Sequence, residues 1–374
     1  MDFMIMMPLG PQLERIWEIS PQEFGLLVAA YTFSAGTVGL FGSFFMDRFD
    51  RKHALIFLYT GFLFGTFACA LSDSYEMLLI ARCATGSFGG LLGATVLSIV
   101  GDLAPIEKRG EAMGTVMAAF SAASVFGVPF GLFLANQFGW QAPFFFLGLI
   151  GLPILVSNVV MVPNVREHLA RGVENPLQIL KGMLKDRNQF TAHIFIVLLM
   201  LGQFSVITFI APYMVSNVGF TEGELAYIYL VGGFFTLFSS PVFGRLADKH
   251  GQLKFFTMVT ILSLLPLWVI TNLPRMNIYA VLIITSIMFI LISGRIIPAM
   301  TMITSSVKPE RRGGFMSINS AIQQLGAGAA SYVAGIIVIK TASGEYQDYD
   351  LVGYLAISAS IVAILIARRM KAVS

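Results

Sequence analysis

Three charged side chains fall inside long apolar stretches of this chain: Asp2, Arg82 and Arg295. A charge near the centre of a lipid-spanning helix costs on the order of 2.5–3.5 kcal/mol, so each should face a cavity and have a partner. Arg82 lies seven residues past Tyr75, roughly 10 Å from that helix end at about 1.5 Å per residue. Asp2 lies seven residues before Leu9, an equal depth if its helix ends there. The spacing predicts that Asp2 and Arg82 meet when Asp2 is ionised. Protonating Asp2 would then release Arg82 and shift the balance between two arrangements of the helices. The other reading is a static ion pair that only orients them. Arg295 lies eleven residues before Ser306, roughly 16 Å in and so near a bilayer midplane. No acid shares its helix. It could bind an anionic or polyhydroxyl substrate, stabilise carbonyls near Pro298, or pack against a break at Gly294 and Pro298.

Polar side chains at similar depth mark a possible cavity wall. They are Gln203, Ser205 and Thr208 on one helix, and Asn319, Gln323 and Gln324 on another. Asn319 and Gln323 are four apart and share a face, and buried polar groups require partners such as substrate hydroxyls, water or other helices. Met4, Met6 and Met7 could form an adaptable apolar pocket, or simple packing. We take Arg295, Gln203, Asn319, Gln323 and Met6 as the candidate substrate contacts. His193 could titrate or sit satisfied near an interface. Four scattered histidines, Cys69 and Cys83 give no metal-ligand or nucleophile spacing, and no phosphate-binding loop is present. The expectation is a non-enzyme with no cofactor, not driven by ATP.

These residues need helices to hold them. The chain of 374 residues is 56% hydrophobic and 12% charged, with mean hydropathy +0.78, against about 25% charged in soluble domains. That predicts an integral membrane protein. Apolar runs predict helices over Met1–Leu9, Glu23–Met46, Ala54–Leu71, Glu76–Val100, Glu111–Phe138 and Ala142–Val162. Six more follow at Phe190–Val215, Leu225–Leu246, Lys254–Leu273, Met276–Ser306, Phe315–Lys340 and Leu351–Ala367. The fold class expected is all-α, with twelve transmembrane helices in two pseudo-symmetric six-helix halves, 1–162 and 190–374. The polar stretch 163–189 is the expected linker. Met1–Leu9 is half a span, so the sequence is expected to start part-way through helix 1; a short, partly inserted helix is the alternative. Nineteen of the 24 Lys and Arg fall on one side of this arrangement. The positive-inside rule makes that side, with the linker and the C-terminus, cytoplasmic. The net charge of +3 is thus an outcome of topology and no argument for nucleic acid.

A charged turn between apolar helices, Asp47-Arg48-Phe49-Asp50-Arg51-Lys52, returns 201 residues later as Asp248-Lys249-His250-Gly251. A second pair, Lys108-Arg109-Gly110 and Arg311-Arg312-Gly313, repeats at 203. Repeated units of this length indicate duplication.

Twelve helices, a six-plus-six repeat and these loops resemble the major facilitator superfamily across essentially the whole chain. The family loop, Gly-x-x-x-Asp-Arg-x-Gly-Arg-Lys, is matched by Asp47, Arg48, Arg51 and Lys52, with Ser43 and Asp50 at its two glycine positions. The second copy keeps Gly244, Asp248 and Gly251. Helix 4, Ile80-Ala-Arg82 through Gly93 and ending at Asp102, is similar to the family's arginine-bearing helix. Gly127-Val-Pro129-Phe-Gly131 loosely resembles an antiporter motif. Asp2 to Pro11 and Ser293-Gly294-Arg295-Ile-Ile-Pro298 resemble the drug/proton antiporter branch and its arabinose-efflux-permease-like members.

The resemblance implies a secondary transporter in a bacterial-type cytoplasmic (inner) membrane, working as a monomer. It would export a small organic molecule, sugar or drug-like, in exchange for protons. Asp2 and Arg82 would couple the proton. Asp47, Arg48, Arg51, Asp102, Arg109, Asp248 and Gly251 would form gating loops, with Asp102 beside Lys108 and Arg109. A symporter or facilitator of the same fold remains open, as does a membrane sensor or scaffold that transports nothing.

Overall fold

The computed structural model describes residues 1–46, 48–105, 108, 111–112, 115–116, 119, 122–166, 186–308 and 311–373. Two of the expected gating residues, Asp47 and Arg109, lie outside that set. Helices dominate: α1 (Asp2–Ile5), α2 (Gly10–Trp17), α3 (Pro21–Met46), α4 (Arg51–Ala70) and α5 (Tyr75–Leu103) come first. After a π-helical turn at Ala123–Gly127 come α6 (Val128–Phe138) and α7 (Ala142–Met161). Then follow α8 (Arg187–Tyr213), α9 (Leu225–His250), α10 (Gln252–Thr271), α11 (Ile278–Ser305), α12 (Arg312–Ile337) and α13 (Tyr349–Ala367). Among the described residues nine helices are long and apolar enough to cross a membrane: α3, α4, α5, α7, α8, α9, α10, α11 and α13.

Polar caps set the starts. Ser20 and Glu23 form a capping box before α3: Ser20 N donates to Glu23 Oε2 at 2.7 Å and Glu23 N to Ser20 Oγ at 3.3 Å. Thr221 and Glu224 repeat it before α9, 201 residues on, the interval that separates Asp47 from Asp248. Asp186 caps α8, accepting from Asn188 N and Gln189 N, so that helix begins three residues earlier than the apolar run implied. Gly251 joins α9 to α10 at φ +89°, a left-handed conformation that favours glycine.

Two further expected boundaries move. Helix 1 does not end at Leu9. Its hydrogen bonding loosens over 6–9 and resumes as α2, with Pro11 in the first turn, where a missing N–H costs nothing. The helix predicted over Phe315–Lys340 stops at Ile337. Val338 turns extended, and β1 (Ile339–Lys340) pairs antiparallel with β2 (Tyr346–Gln347) around a turn at Gly344, φ +85°.

The end of the bundle carrying the arginine- and lysine-rich turns is here the basic face, and the opposite end the distal face. At the distal face one apolar cluster joins both parts of the chain, with Ile5, Leu9, Leu13 and Phe24 packed with Phe209, Met214 and Tyr349. The longest seam between the parts is α3 against α12. Backbones touch there: a Cβ on Gly25 would fall 2.8 Å from the Ser331 carbonyl and 3.1 Å from Gly335 Cα. At the basic face a cavity opens, lined by Met300, Thr301, Thr304, Ser305, Arg312 and Met316.

Candidate functional site

Asp2 opens α1 and Arg82 sits two turns into α5, and the structure brings them together. Arg82 donates to Asp2 Oδ2 at 2.7 Å; Asp2 is 6% exposed and Arg82 is fully buried. The guanidinium carbon lies 4.6 Å from the centroid of the Tyr31 ring, a cation–π contact on its other side. Tyr31 is within reach because α3 and α5 pack backbone to backbone. A Cβ on Gly86 would sit 2.2 Å from the Tyr31 carbonyl and one on Gly90 2.5 Å from that of Ala35. Phe3 stacks on Tyr31 at 5.3 Å and reaches Phe204 of α8 at 5.9 Å. The pair thus lies beside a junction of the two parts of the chain. The depth argument that predicted it rested on a wrong end point. Helix 1 runs on to Trp17, so Asp2 lies about 20 Å from its distal end at ~1.5 Å per residue, and α2 projects past the start of α5.

Arg295 is also fully buried, on α11. It donates to Ser360 Oγ of α13 at 3.0 Å and to the Gly202 carbonyl of α8 at 3.0 Å. It therefore ties three helices together, and does not serve the carbonyls near Pro298 in its own helix. Next to Gly202, Gln203 keeps a buried Oε1 with no protein partner. Asn319 is fully buried and its side chain lies within hydrogen-bonding reach of His193, which stacks on Phe315 at 5.0 Å. Gln323 is half-buried. Met6 is fully buried in the distal apolar cluster and lines no open space.

At the basic face Arg51 pairs with Asp102 at 2.6 Å, joining the start of α4 to the end of α5. Asp102 was expected beside Lys108 and Arg109; Arg109 lies outside the described residues, and among the described residues Arg51 is within ion-pair distance of Asp102. Arg48 is exposed. Asp248 is exposed and accepts from Gln252 Nε2 at 2.8 Å. Asp50, read only as a departure from a glycine position, is the N-cap of α4. It accepts from Lys52 N at 3.0 Å, Val165 N at 3.1 Å and Arg166 Nε at 2.8 Å. An aspartate immediately before Arg51 and a long apolar run is a cap signature, which could have located it. Among the described residues no group of three His, Cys, Asp or Glu side chains could hold a metal ion.

A family model described as Major Facilitator Superfamily matches residues 1–203 and 192–372. The chain belongs to that superfamily. Its members are transporters, not enzymes. The quinolone resistance protein NorA of Staphylococcus aureus (strain MSSA476) is 22% identical over 98% of this chain and 93% of its own length. A probable sugar efflux transporter of Mannheimia succiniciproducens is 23% identical over 91% of this chain and 83% of its own. Among solved structures, a D-xylose–proton symporter superposes with TM-score 0.78 at 16% identity, over 97% of this chain and 93% of that one. The chain is thus an all-α multi-pass membrane transporter of this fold, and it carries a small molecule.

Proposed function

We propose that this superfamily member is a proton-coupled secondary transporter that exports a small organic molecule by alternating access. The basic face would be cytoplasmic and the C-terminus would lie there, in a bacterial-type inner membrane. One observation carries the reading: Asp2 and Arg82, 2.7 Å apart and buried, form an ion pair whose acid member can take a proton. An ionised carboxylate holds Arg82 in place; a protonated one frees it to seek other acceptors. Closure of the distal face by apolar packing fits an inward-facing state. Export is favoured by the relative named as a probable sugar efflux transporter, and a quinolone resistance protein among the relatives agrees with it. The buried Oε1 of Gln203 on α8, which has no protein partner, supplies a substrate contact together with Asn319 of α12, with Arg295 behind them, holding α8, α11 and α13 in place. Asp47, Arg48, Arg51, Asp102, Arg109, Asp248 and Gly251 act as the cytoplasmic gate. Residues 1–162 and 190–374 rock against one another along the α3–α12 seam.

The test uses the protein in proteoliposomes holding a pH gradient, with a panel of sugars and lipophilic cations. Proton movement triggered by one class, and lost in Asp2→Asn, is the expected result. Substrate flux that ignores the gradient and survives Asp2→Asn would make the protein a facilitator, with Asp2 and Arg82 a structural pair. Proton and substrate moving in the same direction would make it a symporter.

A further inference from the structure

The distal end of helix 1 reaches across to the C-terminal part of the chain. Glu14 on α2 is 4% exposed. Its Oε2 accepts from Lys340 Nζ at 2.8 Å, and its Oε1 accepts from the Tyr346 hydroxyl. Both donors belong to the two-stranded hairpin between α12 and α13, more than 320 residues further along. The hairpin is itself fixed. Asn217 accepts from Tyr346 N at 2.9 Å and donates to the Tyr346 carbonyl at 2.8 Å, and Phe209 packs on the Tyr346 ring at 6.2 Å. One residue along, Arg15 pairs with Glu222, and Gln12 donates to Asn136 at 2.7 Å.

Apart from the exposed Arg15–Glu222 pair and the Asn136 Nδ2 bond to the Glu222 carbonyl at 3.4 Å, the other contacts that close this face are apolar and non-directional. Glu14 is a charge removed from water, and taking one member from such a pair leaves the other stranded. Burial raises the Glu14 carboxyl above its usual range, with the Tyr346 and Lys340 contacts pulling it back. The groups acting on it are Lys340 and Tyr346 from the hairpin; Arg15 on its own helix is engaged by Glu222. These contacts join parts of the chain that must separate if the distal face is to open.

We propose that Glu14, held by Lys340 and Tyr346, is the positioning residue that latches the distal gate: outward opening withdraws it from the hairpin, and closing returns it. This rests on the alternating-access reading above. The linkage sign follows from the carboxyl. It binds protons more readily when latched than when open to water, so acid favours the closed gate and alkali loosens it.

The test is inter-label distance in lipid nanodiscs, in a background lacking Cys69 and Cys83. One spin-label pair spans the distal face at the exposed positions Gln137 and Met276, and a second spans the basic face at Phe49 and Lys249. Glu14→Ala and Lys340→Ala are each expected to raise the open-to-closed ratio about tenfold, lengthening the distal distance and shortening the basic-face one. The charge-exchanged pair Glu14→Lys with Lys340→Glu should restore closure, which Glu14→Lys alone should not. In an Asp2→Asn background, which removes the other proton-sensitive pair, the distal distance should shorten as the buffer is acidified, and adding Glu14→Ala should abolish that response. Unchanged distal distances in both alanine variants, while a sugar or lipophilic cation of the panel above still moves both label pairs in the wild type, would overturn the latch and leave alternating access standing. Label pairs that never move in opposite senses under any condition would overturn both.

Discussion

Among the described residues two arginines are fully buried within this bundle, and they are held in opposite ways. Arg82 has a carboxylate at 2.7 Å and an aromatic face at 4.6 Å. Arg295 has a hydroxyl and a backbone carbonyl, each at 3.0 Å, and no acid among its bonded partners. A proton can change the first environment, because Asp2 can lose its charge. It cannot change the second, because neither Ser360 nor a carbonyl titrates in any accessible range. On the function proposed above, the contrast divides the labour: residues near α1 and α5 respond to protons, and those around α11 organise fixed polar groups. Buried arginines are equally expensive to place, so partner chemistry, not depth, distinguishes a switch from a strut.

The largest expected effect comes from stranding one member of the Asp2–Arg82 pair. Asp2→Ala and Arg82→Ala should each lower unfolding stability by about 3–5 kcal/mol, and the double variant by less than the sum. Thermal unfolding in detergent checks this, and strict additivity would mean that the two groups do not depend on one another. Next comes Ser360→Ala, which removes a neutral acceptor from a buried cation and should cost about 1.5–3 kcal/mol. Arg295→Met should cost less, within about 1 kcal/mol of the wild type. It strands nothing: Ser360 Oγ also donates to the Ala356 carbonyl at 2.7 Å, and the Gly202 carbonyl lies within a helix. The inverted order, in which losing the partner hurts more than losing the arginine, would sharpen the contrast with Arg82. An Arg295→Met variant as unstable as Arg82→Ala would end it.

Much of this was legible in the sequence. Apolar run lengths located the long helices, because lipid imposes a length and an internal hydrogen-bond rule on any span. The Asp2–Arg82 contact was also legible, since a buried charge demands a partner and few are available. What stayed hidden depended on the chain's path between elements. The partners of Arg295 are a glycine carbonyl and a serine, types too common to carry a signal. The Met6–Leu9 loosening and the restart at Gly10 lie in a stretch that reads simply as a helix ending in Leu-Gly-Pro. The hairpin at Ile339–Gln347 has two-residue strands, far below the length at which alternation is readable. No sequence signal therefore singles out Glu14, which the fold buries against Lys340 and Tyr346.

The smallest expected effect concerns a third arginine and asks whether burial, and not pairing alone, gives Arg82 its weight. Arg166 meets Asp50 at 2.8 Å, as close as Arg82 meets Asp2, but its side chain is 63% exposed. Water screens such a pair, so its worth should stay below about 1 kcal/mol. Asp50→Asn isolates the charge, because asparagine caps a helix about as well as aspartate. Burial alone would raise the Asp50 carboxyl, yet Arg166 and the N–H groups of Val165 and Lys52 outweigh it and hold it below its usual range. A carboxyl held lower in the fold than in the unfolded chain stabilises fully above its unfolded value, and that contribution fades as pH falls through the folded one. The wild type should therefore unfold slightly later than Asp50→Asn at neutral pH, and the gap should close in acid. A gap as wide as that of Asp2→Ala would show that proximity alone sets the energy of these pairs, and the distinction drawn from burial would fail.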